Sequence, residues 1–339
     1  MKKLNIAIIG LGNIGSYLYK YLNDNKKILT EKNNCLPLVK YVSAKRKARR
    51  RNLSIKKKQW LRNYLDATKI EDVDLIVELI GGAEGPAKKL VFEALKNKKN
   101  VVTANKALIA KYGDQLSKIA EKNKVNLEFE ASVCGGVPII RSLKEGLIAN
   151  KISKIYGIFN GTSNYILSSM DKQNKNFNEV LKDAQKLGYA EANPSADLNG
   201  DDVSSKLKIL SSLCFNSFLN NNIYVEGIKD IDKTDIENAN KLGYKIKLLG
   251  FAELVNNKIY QRVHPTLIKK DSYVASIDGV LNAVIVDGKP VGQSTIQGEG
   301  AGAAATTSAL ISDISSILRG NIKFPFSLSN KERKKLKFE

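Results

Sequence analysis

The sequence predicts an α/β fold in which a parallel sheet with helices on both faces is followed by a second, mixed α+β domain. Apolar, strand-like runs alternate with helical segments from residue 4 to about residue 130, and this alternation is typical of β-α-β units. From about Ile152 the strands follow one another through short turns instead, as they do in hairpins. The chain of 339 residues is long enough for two domains, each with its own core.

Five short apolar runs in the first half are predicted to form the strands of the parallel sheet. They are residues 4–9, Leu38–Ala44, Val73–Ile80, Asn100–Ala104 and Asn126–Glu130. A helix is expected after the first strand, through about Asn23, and another over Leu90–Lys96. The run VDLIVELI is mostly apolar, which indicates a buried strand.

The second half contains three strand-like segments, ISKIYGIFN, KIYQRVHPTL and VLNAVIVDG, with Asn-Asn and Asp-Gly pairs as the predicted hairpin turns. A helix is predicted to begin after Gly200, because Asp201 and Asp202 would then lie near its N-terminus, where the helix dipole favours carboxylates. The apolar, small-residue stretch from Ala301 to Leu318 predicts one long helix, and a charged tail follows it.

The composition excludes several broad classes of function. The net charge of +21 is densest in Lys45–Arg51 (KRKARRR), but no aromatic residue is interleaved there and no nucleic-acid-binding signature surrounds it. We therefore expect no nucleic-acid partner. No apolar run approaches the ~18–20 residues of a membrane span, so no membrane partner is expected either. Three scattered cysteines, Cys35, Cys134 and Cys214, are too few for a disulfide framework, which favours a reduced, cytoplasmic protein.

A glycine-rich turn joins the first strand to the first helix. It consists of Gly10, Leu11, Gly12, Asn13, Ile14 and Gly15, and it has the pattern G-x-G-x-x-G. The first glycine permits a tight turn, the second lets the backbone approach a pyrophosphate, and the third lets helix and strand pack together. In this strand-turn-helix context the pattern predicts a dinucleotide-binding, Rossmann-type doubly wound sheet. A turn with a purely structural role is the alternative.

The end of the second strand indicates which dinucleotide binds. NAD-binding sheets place an acidic residue there to bind the ribose 2′-hydroxyl, whereas this chain has Lys45 and Arg46. An acidic side chain would repel a 2′-phosphate, and two basic side chains would attract it. We therefore expect NADP(H) to be preferred over NAD(H), unless these residues only begin a solvated basic surface.

The segment Leu187–Leu207 concentrates ionisable residues. Asp202 and Lys206 are four residues apart, so they share one face of the predicted helix. Glu191 comes from a separate turn just upstream. Two carboxylates and one ammonium at one point can bind an amino acid and move a proton. A solvent-exposed ion pair without a function is the simpler interpretation of the same spacing.

The same segment carries a family resemblance. Its pattern GY-x-E-x-x-P-x-x-D-x-x-G-x-D-x-x-x-K resembles the signature of homoserine dehydrogenases. The segments IAIIGLGNIG, ELIGG, VVTANKALIA, EASVCGGVPII, NGTSNYIL, VHPTLI and GEGAG also fall in that family's order, from about residue 4 to residue 320. The resemblance implies an enzyme that interconverts L-aspartate 4-semialdehyde and L-homoserine with a nicotinamide cofactor, the branch step toward threonine, isoleucine and methionine.

Reduction of a carbonyl group needs a hydride on carbon and a proton on oxygen. The chain has one histidine, so a lysine or a carboxylate must supply the proton, and Lys206, oriented by Asp202 and facing the nicotinamide, is the best candidate. Glu191 and Asp202 would bind the substrate ammonium. Thr162, in the segment NGTSN, is expected to contact the substrate carboxylate.

Further residues are carried over from the family. Near the cofactor the resemblance implies Gly82, Thr103, Lys106, Gly188 and Gly300, with Lys106 close to the nicotinamide. The segment EASVCGGV resembles the family's structural sodium site, and its ligands here would be the Glu130 carboxylate and the carbonyls of Val133, Gly135 and Val137. Ligation by oxygen alone suits a hard cation such as Na+.

The resemblance also predicts the domain organisation of a homodimer. We expect a dinucleotide-binding domain over 1–132, a substrate-binding, catalytic and dimerisation domain over 133–300, a helix over 301–320 that returns to the first domain and the dimer region, and a charged tail over 321–339. Many relatives continue into a C-terminal regulatory module that binds threonine, for which this length leaves no room. We therefore expect either an enzyme without that regulation or a shortened chain.

Two departures from the family pattern occur in one loop. GEGAG replaces the commoner GPGAG, so Glu299 stands in place of proline, and Gln297 stands where an aromatic residue is frequent. Closure of this loop on the cofactor is therefore expected to differ.

Two other functions stay open at this point. A phosphorylating semialdehyde dehydrogenase would use Cys134 as nucleophile and His264 as base, but it would leave Glu191, Asp202 and Lys206 without a task. A non-catalytic Rossmann protein that senses a cofactor or binds nucleic acid would show no turnover with aspartate semialdehyde and NADPH.

Overall fold

The computed structural model of the chain describes residues 2–49, 51–218, 223–320, 322–333 and 336–338. These residues form two compact units. The first unit consists of Met1–Gly136 and Gly302–Arg333, and the second consists of Val137–Ala301 with the described residues 336–338.

The first unit is built on a parallel five-stranded sheet with the strand order β2-β1-β3-β4-β5. The strands are β1 (Lys2–Ile9), β2 (Cys35–Ser43), β3 (Leu75–Glu78), β4 (Asn100–Thr103) and β5 (Leu127–Glu128). The helices between them are α1 (Asn13–Asp24), α2 (Lys26–Asn33), α3 (Pro86–Lys96) and α4 (Lys106–Asn123). The parallel sheet with its crossover helices confirms the predicted α/β class for the first half.

Three of these strands, β3, β4 and β5, are shorter than the sequence predicts, and α3 begins earlier. Beyond Glu78, the Leu79 N–H still donates to Ile9 of β1, but the N–H groups of Ile80 and Gly81 donate to the Glu78 side chain, so β3 does not continue. Strand β5 ends at Glu128 because a 3-10 turn, Glu130–Ser132, follows it. Helix α3 begins at Pro86, since a proline is well placed at the first helical position.

The second unit is built on a mixed seven-stranded sheet with the order β11-β10-β6-β8-β9-β12, in which β7 also pairs with β9. Its strands are β6 (Lys151–Ile158), β7 (Tyr224–Val225), β8 (Tyr244–Val255), β9 (Lys258–Lys269), β10 (Leu281–Lys289), β11 (Gly292–Glu299) and β12 (Lys337–Phe338). Its helices are α5 (Ile139–Arg141), α6 (Gly161–Gln173), α7 (Phe177–Lys186), α8 (Ser195–Leu198), α9 (Asp201–Phe215) and α10 (Lys233–Lys241). The predicted mixed α+β second domain is thereby confirmed.

One of the two predicted hairpin turns is confirmed and the other is wrong. Asn256 and Asn257 both have positive φ, 49° and 62°, and they connect β8 to β9. The predicted Asp-Gly turn does not exist, because Asp287 and Gly288 lie within β10 and the chain reverses only after Lys289. A register irregularity between Asp287 and Gly288, against β6, accommodates the glycine inside the strand.

The last helix, α11 (Ala303–Leu318), packs in the core of the first unit. Its Leu310 and Ile314 belong to the same buried cluster as Ile8 of β1 and Leu18 of α1. The helix begins two residues after the predicted start, because Gly302 has a φ of +107° and is not helical. Within the described part of the chain, none of the helices is long and apolar enough to cross a membrane.

Candidate active site

The three glycines of the turn after β1 are constrained by different neighbours. A Cβ on Gly10 would lie 2.4 Å from the Leu79 carbonyl oxygen, and a Cβ on Gly15 would lie 2.0 Å from the Gly10 carbonyl oxygen. The fold itself therefore requires glycine at these two positions. Gly12 has an ordinary φ of −76°, and nothing lies within 4 Å of the place its Cβ would occupy. The protein interior gives no reason for glycine there, whereas a ligand that approaches the backbone does.

A cavity of about 880 Å³ lies beside this turn, at the carboxyl ends of β1 and β2. Its basic lining residues are Lys45, Arg46, Lys47, Arg49, Arg51 and Arg62. Arg51 is half-buried and donates from Nε to the Leu11 carbonyl (2.9 Å) and from its terminal nitrogen to the Arg46 carbonyl (2.6 Å). These bonds connect the basic loop to the glycine-rich turn. The basic run was predicted as part of the cofactor site, whereas Arg62, 11 residues after Arg51, was not.

The ends of β3 and β4 are joined by buried hydrogen bonds. Thr103 is fully buried and its hydroxyl donates to Glu78 at 2.5 Å. The Asn105 side chain donates to the Gly82 carbonyl at 2.8 Å and caps α4, where Lys106 is the first residue. The structure thus brings Gly82, Thr103 and Lys106 to one edge of the sheet. Thr103 has no exposed surface, and its predicted cofactor-binding role stays a prediction.

In the second unit, Asp202 and Lys206 form a buried ion pair on α9. Their exposed fractions are 6% and 8%, and Lys206 Nζ lies 2.7 Å from Asp202 Oδ2. The same ammonium donates to the Phe159 carbonyl at 2.6 Å, and the Asn282 amide donates to that carbonyl at 3.1 Å. This pair is therefore not the solvent-exposed i,i+4 pair that the spacing alone allowed.

Asn160 connects this ion pair to a second carboxylate. Its amide nitrogen donates to Asp202 Oδ2 (2.9 Å) and to Asp197 Oδ1 (2.7 Å), while its carbonyl oxygen caps α6 at Ser163. Burial raises the pKa of Asp197, an effect that the hydrogen bond from Asn160 opposes and that the nearby Asp202 carboxylate reinforces. Asp197 lies in the sequence motif, but no role was predicted for it. The hydrogen bonds by which Asn160 connects the two carboxylates were not predicted either.

The remaining predicted substrate residues lie near the start of α6 and in the loop after α7. Thr162 Oγ1 donates to the Tyr189 carbonyl at 2.7 Å, so it holds the segment that contains Gly188, whose φ is +77°. The Glu191 side chain is exposed, and within the described ranges no ion pair joins it to Lys206. The predicted contact of Glu191 with the substrate ammonium stays a prediction.

Two further glycine-containing segments were predicted as sites. A Cβ on Gly300 would lie 2.2 Å from the Asn282 side chain, so packing against that amide already requires a glycine. In the turn after Glu130, the residue Cys134 is buried and has a φ of +56°, and Gly135 has a φ of +49°. Glu130 itself is 1% exposed. Among the residues that the structure describes, no cluster of three or more His, Cys, Asp or Glu side chains is arranged to hold a metal ion.

Comparison with known proteins identifies the family of this chain. The family described as homoserine dehydrogenase, NAD binding domain, matches residues 10–130, and the family described as homoserine dehydrogenase matches residues 138–315. The chain belongs to the homoserine dehydrogenase family. It is accordingly an NAD(P)-dependent oxidoreductase that acts on a CH–OH group.

Individual homoserine dehydrogenases cover nearly the whole chain. The protein of Neisseria gonorrhoeae is 42% identical over 320 residues, which are 94% of this chain and 73% of that protein. The protein of Bacillus subtilis is 38% identical over 320 residues, 94% of this chain and 74% of that protein. The crystal structure of a homoserine dehydrogenase from Thiobacillus denitrificans superposes with a TM-score of 0.94 at 38% identity, covering 100% of this chain and 80% of that chain.

Membership of the homoserine dehydrogenase family removes the two alternative functions. The phosphorylating semialdehyde dehydrogenase required a reactive thiolate at Cys134, but this side chain is 1% exposed in a left-handed turn. A non-catalytic Rossmann protein would not need the buried Asp202–Lys206 pair. The curated relatives support neither function.

Proposed function

We propose that this homoserine dehydrogenase interconverts L-aspartate 4-semialdehyde and L-homoserine with NADP(H), and that Lys206 transfers the proton. The observation that carries this proposal is the buried Asp202–Lys206 pair, in which the ammonium lies 2.7 Å from the carboxylate and 2.6 Å from the Phe159 carbonyl. These acceptors fix the position of the ammonium, so its proton transfer requires little reorganisation.

Lys206 then acts in both directions of the reaction. A bound nicotinamide cofactor would supply the hydride to the aldehyde carbon. Lys206 donates a proton to the oxygen that becomes negatively charged in the reduction. During oxidation of homoserine the neutral amine of Lys206 accepts the hydroxyl proton. The Asp202 carboxylate orients the lysine and stabilises its charged form.

The carboxylates around Lys206 suit the ammonium group of the amino-acid substrate. Asp202 and Asp197 both accept hydrogen bonds from Asn160, which holds two acidic groups close together. A cationic ligand would relieve their mutual repulsion. We assign Glu191 to the same ammonium and Thr162 to the substrate carboxylate, as predicted from the sequence. The Glu191 side chain is exposed, so its carboxylate is accessible to a bound ligand.

The cofactor is assigned to the glycine-rich turn and the basic cavity beside it. The open space at Gly12 suits the pyrophosphate, and Lys45 and Arg46 line the cavity where a 2′-phosphate would lie. The proposed cofactor-binding residues are Gly10, Leu11, Gly12, Asn13, Ile14, Gly15, Lys45, Arg46, Gly82, Lys106, Gly188 and Gly300, with Thr103 as a supporting residue.

A structural sodium ion is proposed in the turn that begins at Glu130. This turn contributes oxygen ligands only, the buried Glu130 carboxylate and the carbonyls of Val133, Gly135 and Val137, which is the set that a hard cation prefers. The ion would hold the turn and would take no part in proton transfer.

A homodimer is proposed on the basis of the sheet in the second unit. Tyr156 and Phe251 are half-buried with ring centroids 6.2 Å apart, and the Arg262 guanidinium lies 4.3 Å from the Phe251 ring centroid. Aromatic residues and arginine are enriched at the centres of protein interfaces. The place of the reaction in threonine, isoleucine and methionine synthesis and the cytoplasmic location stay predictions.

Steady-state kinetics of a lysine variant test the proposal. Lys206→Met keeps a long, unbranched side chain but removes the ammonium group, so turnover with NADPH and aspartate semialdehyde should fall by about two or more orders of magnitude. The affinity for NADPH should stay near that of the wild type. Lys208→Met, on the same helix and half-buried, is the matched control and should keep its turnover. Near-wild-type turnover of Lys206→Met at saturating substrate would refute the assignment.

A further inference from the structure

Glu78 is a buried carboxylate for which the proposed reaction has no use. It is the last residue of β3 and its exposed fraction is 0%. Among the described residues, no lysine or arginine forms an ion pair with it. Burial of an unpaired carboxylate is costly unless hydrogen bonds satisfy its oxygens. The donors that bind Glu78 therefore indicate its task.

Three donors from two different loops bind this carboxylate. Oε1 accepts from the backbone N–H of Ile80 (2.7 Å) and of Gly81 (2.9 Å), in the turn after β3. Oε2 accepts from the Thr103 hydroxyl (2.5 Å), at the end of β4. One side chain thus connects the turns that follow two neighbouring parallel strands.

A second set of hydrogen bonds completes the connection. Thr103 Oγ1 accepts from the Asn105 N–H at 3.0 Å, and the Asn105 side chain donates to the Gly82 carbonyl at 2.8 Å. Gly81 and Gly82 both have left-handed φ angles, 84° and 83°. Two consecutive glycines have large conformational freedom, so these hydrogen bonds are what holds the turn in one conformation.

The backbone beside Glu78 also forms a wall of the glycine-rich turn. Leu79 N–H donates to the Ile9 carbonyl at 2.8 Å. The Leu79 carbonyl is the atom that leaves no room for a Cβ on Gly10. Displacement of the 78–82 backbone would therefore alter the Gly10 turn as well. Glu78 supports the ends of β1, β3 and β4, the edge of the sheet at which dinucleotides bind.

The negative charge needs an explanation, because a dinucleotide is itself anionic and a neutral side chain would repel it less. A glutamine in the same place could accept both backbone N–H groups with its carbonyl oxygen, but its amide nitrogen could not accept the Thr103 hydroxyl. Only a carboxylate satisfies all three donors. We propose that Glu78 is a positioning residue that sets the conformation of the cofactor-binding turns through Thr103, without contact with the substrate.

This inference rests on the placement of the cofactor in the proposed function, so the experiment tests both separately. Glu78→Gln removes the acceptor of the Thr103 hydroxyl, and Thr103→Val removes that hydroxyl together with the acceptor of the Asn105 N–H. Each should raise the NADPH dissociation constant by at least about tenfold, as expected for loss of a charge-assisted bond. The double variant should bind NADPH about as weakly as Thr103→Val alone, since that variant has already lost the Glu78–Thr103 interaction. Thr103→Ser keeps the hydroxyl and should bind NADPH like the wild type.

Two further measurements distinguish a positioning role of Glu78 from a general loss of structure. At saturating NADPH the Michaelis constant for aspartate semialdehyde should stay within about twofold of the wild type, because a purely structural loss would affect both ligands. Gly12→Ala serves as the reference for the cofactor site. Unchanged NADPH affinity in Glu78→Gln and Thr103→Val, with weakened affinity in Gly12→Ala, overturns the role of Glu78. Unchanged NADPH affinity in all three variants overturns the placement of the cofactor on which this inference rests. If Glu78→Gln does not fold, Thr103→Val and Thr103→Ser decide the question alone.

Discussion

Substitution of Gly12 by alanine should separate the stability of this protein from its affinity for the cofactor. The Gly12 backbone has φ −76° and ψ −158°, an extended conformation that alanine adopts, and no atom lies within 4 Å of the new Cβ. Alanine also reduces the freedom of the unfolded chain, which stabilises a protein by about 0.4–1 kcal/mol where the native backbone is compatible. We therefore expect the melting temperature of Gly12→Ala to be equal to or slightly above that of the wild type.

The cofactor affinity should change in the opposite direction. The methyl group would occupy the space through which the pyrophosphate approaches the backbone. Loss of even one charge-assisted hydrogen bond to the phosphates costs about 1.5–3 kcal/mol, which corresponds to roughly a tenfold to hundredfold increase in the dissociation constant. Titration calorimetry with NADPH and a thermal melt without ligand measure the two effects independently.

The neighbouring glycines provide matched controls. In Gly10→Ala and Gly15→Ala the new Cβ would lie 2.4 Å and 2.0 Å from carbonyl oxygens, so the backbone must move. Both variants should lower the melting temperature, whereas Gly12→Ala should not. Wild-type NADPH affinity in a folded Gly12→Ala protein would refute the reasoning, since the open space would then have no connection with the cofactor.

Three other changes test the remaining assignments. Glu191→Gln should raise the Michaelis constant for homoserine more than that for NADPH, and an unchanged homoserine constant would make Glu191 a structural turn residue. Replacement of Lys45 and Arg46 together by alanine should lower the affinity for NADPH and leave the affinity for NADH nearly unchanged. In the wild type, the preference for NADPH over NADH should shrink as the salt concentration rises. A double variant that keeps the preference for NADPH would identify the basic run as a charged surface. Burial raises the pKa of Asp197, so its ionisation above the ordinary Asp pKa of about 3.9 costs stability. Asp197→Asn should therefore have a higher melting temperature than the wild type at neutral pH, and this difference should disappear below a pH of about 3.9. The affinity for substrate should fall in the same variant. Equal melting curves of variant and wild type at neutral pH would contradict the reasoning.

Helices, strands and the cofactor turn were predictable because their signals are local. The apolar runs of β1 and β3 become buried strands, and the spacing of Gly10, Gly12 and Gly15 places each glycine at a defined point of a strand-turn-helix unit. The Asp-Gly pair in β10 shows the limit of such signals. The pair favours a turn on its own, but pairing of β10 with both β6 and β11 keeps it inside a strand.

The candidate site was predictable only in part. The spacing of Asp202 and Lys206 put them on one helical face, and the motif indicated their chemistry. The spacing did not show that both are buried, because burial depends on the strands that cover α9. Thr103 lies at the strand end where it was expected, yet its hydroxyl points to Glu78 and not to solvent.

By itself, the sequence determined the α/β class, the glycine-rich turn and the shared helical face of Asp202 and Lys206. Tertiary structure decided which distant residues contact these elements. The Phe159 carbonyl that holds Lys206 is 47 residues away in the chain, and Asn282, which shares that carbonyl, is 123 residues from Phe159. Glu78 and Thr103 are 25 residues apart. Local periodicity carries no information about such pairs, since strand order and register bring them together only when the sheets form.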